Sequence, residues 1–536
     1  MATRTIVIIA YFLVLLCIGL FARTRWKSSP ESYFLADRKL SSVLLLGTMV
    51  ATNFSAFTVF GTSGAGYRDG YAFFPIMGFG TGFMALSFWL LGRKIWRYGR
   101  STGAVTPAEL IGSLYHSRVL SLLFAIVMII FTIPYLALQP MAAGYALEEL
   151  LGLPYIWGST IVTTIIVLYT LRGGMKAVVW TDLFQGGFMV LLLLVALGIV
   201  SRFHGGFIAA NRELLATSPE LFSRPGASGT YIIGIWFSYM LLWFLCDPMF
   251  PQLFQRFFSA KNERALSRTM LLYPVICTVV FLLPISMGVL GHLSFPELVG
   301  AESDRILPMM LTAISGDFMA SLVIAAALAA LMSTMDSQLL TLSSIFSRDI
   351  LSLFTKQKER FSRAGHIFVV ILAVAGLLLA WRPPSTILQI ATQTFSGLAV
   401  LFPATLFGLY FKRVHSLPAI LSIIFGELTL IMFYIGWLST DSVLPVIWVM
   451  LVTFSVYLIT HLILELRMQT LSLKVPGWLR NPYLYMMGGI FVLAMDFWNW
   501  EVTQPVFLGI PIWIWYFMGL SALQTLIMLR MIKARL

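Results

Sequence analysis

The sequence contains little charge and few side chains suited to covalent chemistry. Only 11% of its 536 residues are charged, whereas soluble domains carry about 25%. It has three cysteines and six histidines. The cysteines lie in apolar segments without disulfide or metal-binding spacing, and there is no HExxH motif, nucleophile elbow or phosphate loop. These absences argue against an enzyme and leave no cofactor to expect.

Long apolar segments take up most of the chain. Hydrophobic residues make up 59% of it, and the mean hydropathy is +0.88. Runs of about twenty apolar residues are typical of helices that cross a bilayer. We therefore predict an all-α polytopic membrane protein with about fifteen spans at ~20 residues per crossing. The predicted spans are residues 5–22, 41–67, 72–92, 119–149, 154–171, 177–201, 230–255, 269–293, 316–346, 365–381, 386–411, 415–437, 442–466, 483–498 and 507–529.

Basic residues are concentrated in every second predicted loop, and they produce a net charge of +13. Because Lys- and Arg-rich loops stay in the cytoplasm, we predict a cell (inner or plasma) membrane protein with an external N-terminus and a cytoplasmic C-terminus. The excess charge then reflects topology, and no nucleic-acid partner is expected. The basic segments are 23–39, 93–100, 256–268, 348–363, 412–413, 467–480 and 530–535.

Two of the predicted spans are interrupted. Span 41–67 contains Asn53 and several glycines, and span 230–255 contains Asp247-Pro248. A proline removes a backbone donor and disfavours helix at the residue before it. Interrupted helices at matching positions of two halves indicate an inverted-repeat transporter, although Gly and Pro also occur in ordinary membrane helices.

The interruptions suggest a division of the chain into four parts. Each interrupted span is the first of five consecutive predicted spans. The two sets of five define the two halves of a ten-helix core. The parts are 1–40, an N-terminal helix and lead-in; 41–411, the core, with halves 41–201 and 230–411; 412–482, additional helices; and 483–536, a C-terminal hairpin and basic tail.

Three stretches resemble the sodium:solute symporter family. They are "AALMSTMDSQLLTLSSIF" (329–346), "YTLRGGMKAVVWTDLFQGGFMVL" (169–191) and "ESYFLADRKLS" (31–41). The first is similar to the family's sodium-site helix and the second to its Gly-Gly…Trp-Thr-Asp…Gln signature. The resemblance implies a LeuT-type fold, with a five-plus-five inverted repeat, one preceding helix and extra C-terminal helices, about 13–15 in all at ~20 residues each.

A sodium site is predicted at adjacent Ser333 and Thr334, whose hydroxyls share one edge of a helix. Ala330 lies one turn earlier, where its carbonyl can join them. Sodium in a membrane is most readily bound by hydroxyls and by the carbonyls of an unwound helix. By the resemblance, those carbonyls are at Ala51 and Phe54. Alternatively, the hydroxyls bond to their own helix or help helices pack.

The resemblance implies that Asp182 belongs to a second cation site, since some family members use an acid at this position to bind a second sodium. Ser337 lies one turn from Ser333 and Thr334 and is its candidate partner. Protons are the alternative occupants, because carboxylates inside a membrane are functional by default. A purely structural role, with Asp182 ordering the start of its helix, stays open.

The substrate pocket is expected at mid-membrane between the two interrupted helices. Polar and aromatic side chains there are the candidates, although such side chains also serve as contacts between helices. Thr58 replaces a glutamine that binds sugar in the galactose symporters, which argues against a hexose. The candidates are Asn53, Ser55, Thr58, Tyr135, Gln139, Trp243, Asp247, Gln393 and Phe395.

Together these features predict a sodium-coupled symporter that imports a small organic solute, with an amino acid or a monocarboxylate favoured. The expected partners are the solute, sodium as coupling ion and the lipid bilayer; an oligomer or small membrane partner is left open. Two alternatives remain. The same fold can run on protons, which the intramembrane aspartates allow, or it can serve as a sensory module acting with a separate kinase.

Overall fold

The chain is helical almost throughout the residues that the computed structural model describes, which are 1–22, 29–354, 358–469 and 481–534. This confirms the predicted all-α class. Part of the charge pattern behind the predicted topology, at residues 23–28, 355–357, 470–480 and 535–536, lies outside the described residues.

The first half of the chain contains one helix before the first interrupted span and a set of long helices after it. The helices are α1 (Ala2–Phe21), α2 (Pro30–Leu35), α3 (Ser42–Asn53), α4 (Thr62–Asp69), α5 (Thr81–Thr102), α6 (Pro107–Tyr115), α7 (Arg118–Leu151), α8 (Tyr155–Phe203) and α9 (Phe207–Thr217). Wide helical turns at Phe57–Gly61 and Pro75–Gly80 precede α4 and α5.

The second half repeats the pattern and continues beyond it. Its helices are α10 (Ile233–Cys246), α11 (Pro251–Ser259), α12 (Glu263–Leu290), α13 (Ile306–Ile314), α14 (Asp317–Ile345), α15 (Lys358–Ala380), α16 (Ile387–Ala399), α17 (Phe402–Tyr410), α18 (Ser416–Tyr434), α19 (Pro445–Arg467), α20 (Pro482–Met495) and α21 (Ile512–Lys533). Two-residue strands β1 (Val506–Phe507) and β2 (Ile510–Pro511) pair antiparallel between the last two helices.

Both predicted interruptions are present as sharp bends. The chain turns by 60° between α3 and the segment 57–73, and by 53° between 233–249 and α11. Phe54 leaves the first helix with an extended backbone, at φ −87° and ψ 96°. At the second bend Phe250 has ψ 123°, and Pro251 then starts α11. Each bend therefore leaves backbone groups without partners in their own helix.

The number of crossings depends on how bent and kinked helices are counted. Within the described residues ten helices are long and apolar enough to span a bilayer, or twelve if each bent pair is one span. Helix α8 has 49 residues and is kinked at Gly174, where φ is 61°. At about 1.5 Å per residue it is long enough for two crossings of ~30 Å, as predicted from residues 154–171 and 177–201.

Helix α14 lies at the centre of the protein. Every residue from 323 to 345 is buried, although the segment includes a row of hydroxyls, an amide and a carboxylate. Helices α3, α7, α8 and α11 pack around it. Its polar side chains therefore face protein rather than lipid, which is where intramembrane polar groups are tolerated.

The C-terminal hairpin, to which the sequence assigned no role, packs against the core. The ring of Phe517 in α21 lies 5.7 Å from that of Phe79, and Phe491 in α20 lies 5.7 Å from Phe83. A buried ion pair of 3.3 Å joins Arg224 to Asp496 at the end of the hairpin. The hairpin thus covers one side of α5 and the loop before α10.

Candidate functional site

The first bend is closed by side chains that we predicted for the substrate pocket. The Thr58 hydroxyl accepts a hydrogen bond from the Ser55 amide at 3.2 Å, and Gln139 Oε1 accepts one from the Ala56 amide at 3.1 Å. The Ser55 hydroxyl accepts from the Phe57 amide at 3.2 Å. These contacts satisfy donors that the bend frees, so Ser55, Thr58 and Gln139 hold the unwound backbone.

The predicted sodium-site residues meet where α14 passes the end of α3. The Ser333 hydroxyl lies 2.9 Å from the Ala51 carbonyl and 3.0 Å from the Ala330 carbonyl. The Thr334 hydroxyl lies 2.9 Å from the Thr52 carbonyl and 3.3 Å from that of Ala330. Five oxygens thus converge in a buried, uncharged site, and an all-oxygen set is the chemistry that a hard cation such as Na⁺ requires.

One member of the oxygen set differs from the prediction. In the described part of the chain, the hydrogen bonds of Ser333 and Thr334 reach the carbonyl of Thr52 and not that of Phe54. The reason is that the last carbonyls of a helix have no partner in it, and Thr52 belongs to the final turn of α3. Helix-end geometry was the signal that could have added Thr52 to the set.

An arginine lies between Asp182 and Ser337. Asp182 Oδ2 accepts hydrogen bonds from Arg256 Nη2 at 2.9 Å, from Thr52 at 3.2 Å and from Thr48. The same Arg256 nitrogen donates to the Ser337 hydroxyl at 2.8 Å. Arg256 and Asp182 are both 0% exposed. The structure thus brings the two predicted residues together through a guanidinium.

The placement of Arg256 corrects its assignment to the cytoplasmic segment 256–268. Helix α11 runs from Pro251 to Ser259, so Arg256 belongs to the second half of a broken helix rather than to a loop. It lies in the aromatic-rich segment "PQLFQRFF", and an arginine inside such a segment was the signal that we missed. The loop itself starts near Lys261, which is exposed.

A second carboxylate lies near the same guanidinium. Asp336 accepts hydrogen bonds from the Tyr169 hydroxyl at 3.0 Å and from the Ser337 hydroxyl at 3.1 Å. Oδ1 of Asp182 has no hydrogen-bond partner among the described residues. Asp182 thus pairs directly with Arg256, whereas Asp336 is linked to it through the Ser337 hydroxyl. The occupancy of this site by a second sodium or a proton stays a prediction.

The remaining pocket candidates surround the second bend. The rings of Trp243 and Phe395 lie 5.0 Å apart, and Tyr135 packs 4.9 Å from Phe395. Asn53 Nδ2 donates to the Tyr273 hydroxyl at 2.6 Å, a contact that the sequence did not suggest because α12 carries no polar motif there. Asp247 is 1% exposed.

Gln393 differs from the other pocket candidates, because it is exposed on the outer face of α16. The backbone carbonyl of Gln393 accepts a hydrogen bond from the Tyr434 hydroxyl at 2.6 Å. Helical residues two positions apart point roughly 200° away from each other. Since Phe395 faces inward, Gln393 faces outward.

An ion pair lies on the far side of the first broken helix from the Asp182 network. Arg68 Nη1, near the end of α4, is 3.2 Å from Asp304 Oδ1 in the segment 300–305. The Ile387 amide donates to the other oxygen of Asp304 at 2.8 Å. Burial raises the pKa of Asp304 to about 6, against the opposing effect of Arg68. This pair joins the first broken helix to the start of α16.

The sequence was compared with protein families and curated relatives. The family model described as the sodium:solute symporter family matches residues 33–426. The sodium/pantothenate symporter of Escherichia coli (strain K12) is 28% identical over 433 residues, covering 78% of this chain and 88% of that protein. Sodium/proline symporter 2 of Staphylococcus saprophyticus subsp. saprophyticus is 26% identical over 450 residues, covering 81% and 86%.

Two solved structures share the fold. A Na⁺-coupled sialic acid symporter in a substrate-bound outward-open state has a TM-score of 0.72 and 17% identity, covering 85% of this chain and 96% of that one. Mhp1, a nucleobase-cation-symport-1 family transporter, has a TM-score of 0.58 and 13% identity, covering 82% and 96%. Both likenesses confirm the predicted LeuT-type architecture.

Proposed function

The chain belongs to the sodium:solute symporter family, and from that membership and the site geometry we propose that it imports a small organic solute together with sodium by alternating access. An amino acid or a monocarboxylate is the favoured solute class. The observation that carries the proposal is the convergence of Ser333, Thr334 and three backbone carbonyls at the first bend. Such a site requires no charged residue, and it forms only while α14 and α3 are packed together.

Coupling follows from where the site lies. The carbonyls of Ala51 and Thr52 belong to α3, and the hydroxyls belong to α14. A sodium ion between them binds best when the two helices are close, so ion binding favours the packed arrangement over a separated one. One inward charge contributes about 2.3 kcal/mol per 100 mV of membrane potential. That energy is available to a solute bound beside the same bend.

The proposed membrane arrangement follows the basic loops. The N-terminus lies outside and the C-terminus in the cytoplasm of the cell membrane. Residues 41–411 form the transport core, with halves 41–201 and 230–411, after a lead-in at 1–40. Residues 412–482 and 483–536 are additions to that core. Labelling of Lys261→Cys with a membrane-impermeant thiol reagent in intact cells tests the orientation, because external labelling would reverse it.

The sodium site is tested with purified protein and no knowledge of the solute. Sodium that binds the folded state raises the apparent melting temperature by mass action. Ser333→Ala and Thr334→Ala each remove one ligand oxygen, and we expect each to weaken the apparent sodium affinity about tenfold, equivalent to ~1.4 kcal/mol. Ser343→Ala is the matched control, since the Ser343 hydroxyl bonds only to the Leu340 carbonyl of its own helix.

Proton coupling is the alternative, and the buried carboxylates of Asp182 and Asp336 are the observation that favours it. Proteoliposome uptake of labelled amino acids and monocarboxylates, driven either by a sodium gradient or by a pH gradient alone, separates the two. Uptake that follows the pH gradient in the absence of sodium would replace the sodium proposal. Sodium-dependent uptake that Ser333→Ala weakens supports it.

A further inference from the structure

Asp247 is a buried acid with few hydrogen-bond donors and no cation beside it in the described part of the chain. Its side chain lies at the second bend and is 1% exposed. Oδ1 receives only the Cys246 thiol, a weak donor, at 3.6 Å. Oδ2 has no hydrogen-bond partner in the described ranges, and no Lys, Arg or His within them forms an ion pair with Asp247. The side-chain amide of Asn53, which also donates to the Tyr273 hydroxyl, is its one other hydrogen-bond donor among these residues.

The other buried aspartates of the described chain have hydrogen-bond donors beside them. Each accepts at least one hydrogen bond from a hydroxyl, an amide or a guanidinium. The donors are Arg256 for Asp182, Arg68 for Asp304, Asn499 for Asp496, Tyr169 for Asp336, Thr106 for Asp349 and Ser228 for Asp69. A buried carboxylate without such partners costs several kcal/mol, by the order of magnitude for ions in protein interiors. Asp247 differs from them because, within the described residues, it receives neither a hydroxyl nor a guanidinium, only the Cys246 thiol and the Asn53 side-chain amide.

Aromatic rings enclose the same place. Phe57, Tyr135, Trp243, Phe250 and Phe395, which we call the aromatic cluster, come from four different helical segments. Phe395 is central, with ring centroids 5.0 Å from Trp243, 4.7 Å from Phe250 and 4.9 Å from Tyr135. Trp243 and Phe250 flank Asp247 in sequence. The Nε1 of Trp243 has no hydrogen-bond partner in the part of the chain described.

A carboxylate beside several aromatic faces suits one kind of ligand group. The face of an aromatic ring attracts a cation, by about 0.5–2 kcal/mol per contact, and the carboxylate compensates the full charge. An anion would meet repulsion from both. An uncharged solute would leave the Asp247 oxygen without the charge that its burial demands.

We propose that Asp247 and the aromatic cluster bind a positively charged nitrogen of the transported solute. The solute is then an amino acid or another small organic ammonium compound rather than a simple monocarboxylate. This inference rests on the proposed function, since it names the chemistry of the solute that the sodium gradient drives. It also gives the second bend its role: the chain unwinds where the ammonium group binds.

The test uses purified protein in sodium buffer and pairs of probes that differ in charge but little in shape. The pairs are proline and cyclopentanecarboxylate, ethanolamine and ethylene glycol, and choline and its uncharged carbon isostere; lactate represents the monocarboxylates. Binding is measured by calorimetry and by ligand-induced stabilisation. We expect an ammonium-bearing probe to bind at least tenfold more tightly than its uncharged or des-amino partner, and lactate not to bind.

Substitution assigns the effect to the carboxylate. Asp247→Asn should weaken binding of the ammonium probe at least tenfold and leave the apparent sodium affinity within about twofold of the native value. Asp349→Asn is the matched control, because it neutralises a buried aspartate that Thr106 already contacts at 2.7 Å. Trp243→Phe keeps a ring in the cluster and should cost less than Asp247→Asn.

Two outcomes overturn the inference. One is that an uncharged or des-amino probe, or lactate, binds as tightly as the ammonium probes. The other is that Asp247→Asn binds the ammonium probe as tightly as the native protein. In either case sodium-dependent binding leaves the proposed function intact, whereas probe binding that is independent of sodium contradicts the proposed function instead.

Discussion

Asp182 and Asp247 are both fully buried carboxylates beside a broken helix, at 0% and 1% exposure, and their surroundings are opposite. Asp182 accepts three hydrogen bonds on one oxygen, including that of Arg256 at 2.9 Å. Asp247 faces only a thiol at 3.6 Å and the side-chain amide of Asn53 in the described part of the chain. The first acid has a cation built into the chain, and the second has none among the described residues.

The difference separates two uses of a buried charge. A carboxylate with its own arginine is neutralised in every state that keeps the pair together, so it fixes how α11, α8 and α3 meet. A carboxylate without a cation is neutralised only when something binds or a proton is taken up. This comparison is consistent with the proposed division, in which the Asp182 network serves the scaffold or the coupling ion and Asp247 serves the solute.

The largest effect is expected from removing Arg256, the cation of the Asp182 network. Arg256→Gln leaves the Asp182 carboxylate buried beside Asp336 without compensation, and breaking such a pair costs about 3–5 kcal/mol. The melting temperature and yield of the detergent-solubilised protein should fall sharply. Adding Asp182→Asn should restore most of the loss. Arg264→Gln, at an exposed position in the first turn of α12, is the control; equal stability of all variants would show that the pair compensates nothing.

The next prediction contrasts the two acids directly. Asp182→Asn leaves Arg256 unpaired and should lower stability, whereas Asp247→Asn removes a charge that nothing compensates. For Asp247→Asn we expect the free energy of unfolding to be unchanged or raised, by about 0–2 kcal/mol. Parallel thermal unfolding in solute-free buffer measures both. A large destabilisation by Asp247→Asn would mean that the scaffold also uses this acid, and the comparison would then fail.

The sodium stoichiometry tests whether the Asp182 network binds a second sodium ion. Because Arg256 already places a positive charge between Asp182 and Ser337, we expect sodium to act with a Hill coefficient of about one, the value for a single site. Sodium-dependent uptake or stabilisation measures it. A native coefficient near two that falls to about one in Asp182→Asn would instead establish the second sodium that the family resemblance implies.

The smallest effect concerns Asp304, a third buried acid with its own arginine. Its pKa is about 6 in the folded protein, above the ~3.9 of an unfolded chain. The folded state therefore holds this proton more tightly, and the contribution of Asp304 to stability rises as the pH falls through about 6. Between about pH 7 and 5.5 the gain is ~1 kcal/mol. Asp304→Asn should remove that part of the pH dependence of the melting temperature.

Much of the site could be predicted because it depends on local sequence. Ser333, Thr334 and Ala330 lie within one turn of a single helix, so their hydroxyls and carbonyl share an edge wherever that helix packs. The presence of both bends was also predictable, but the residues that break differ from Pro248 and the glycines. Phe250 is extended because Pro251 follows it, and the first bend is at Phe54, before the glycines. The Thr52 carbonyl was missed by two residues, because the exact end of a helix is set by the contacts around it.

Partners between distant segments could not be predicted. Arg256 and Asp182 are 74 residues apart, and Asn53 and Tyr273 are 220 apart. Nothing in either local sequence specifies the partner, and Arg256 read as one more basic residue of a cytoplasmic segment. Similarly, Ser55, Thr58 and Gln139 have the chemistry of solute ligands, and the sequence did not show that each also accepts a hydrogen bond from a backbone amide at the first bend.

The sequence by itself determined that the chain is a polytopic helical membrane protein, which two core helices are interrupted and which helix carries the hydroxyls of the proposed sodium site. These properties follow from hydrophobicity, backbone restriction and periodicity, which act over one segment at a time. Only the tertiary structure decided which buried acids of the described chain have a cation, as Asp182 has in Arg256, and which are left with few donors of any kind, as Asp247 is. That depends on which side chains meet across helices, because the charge of one residue is compensated by whatever lies within a few ångströms of it in space.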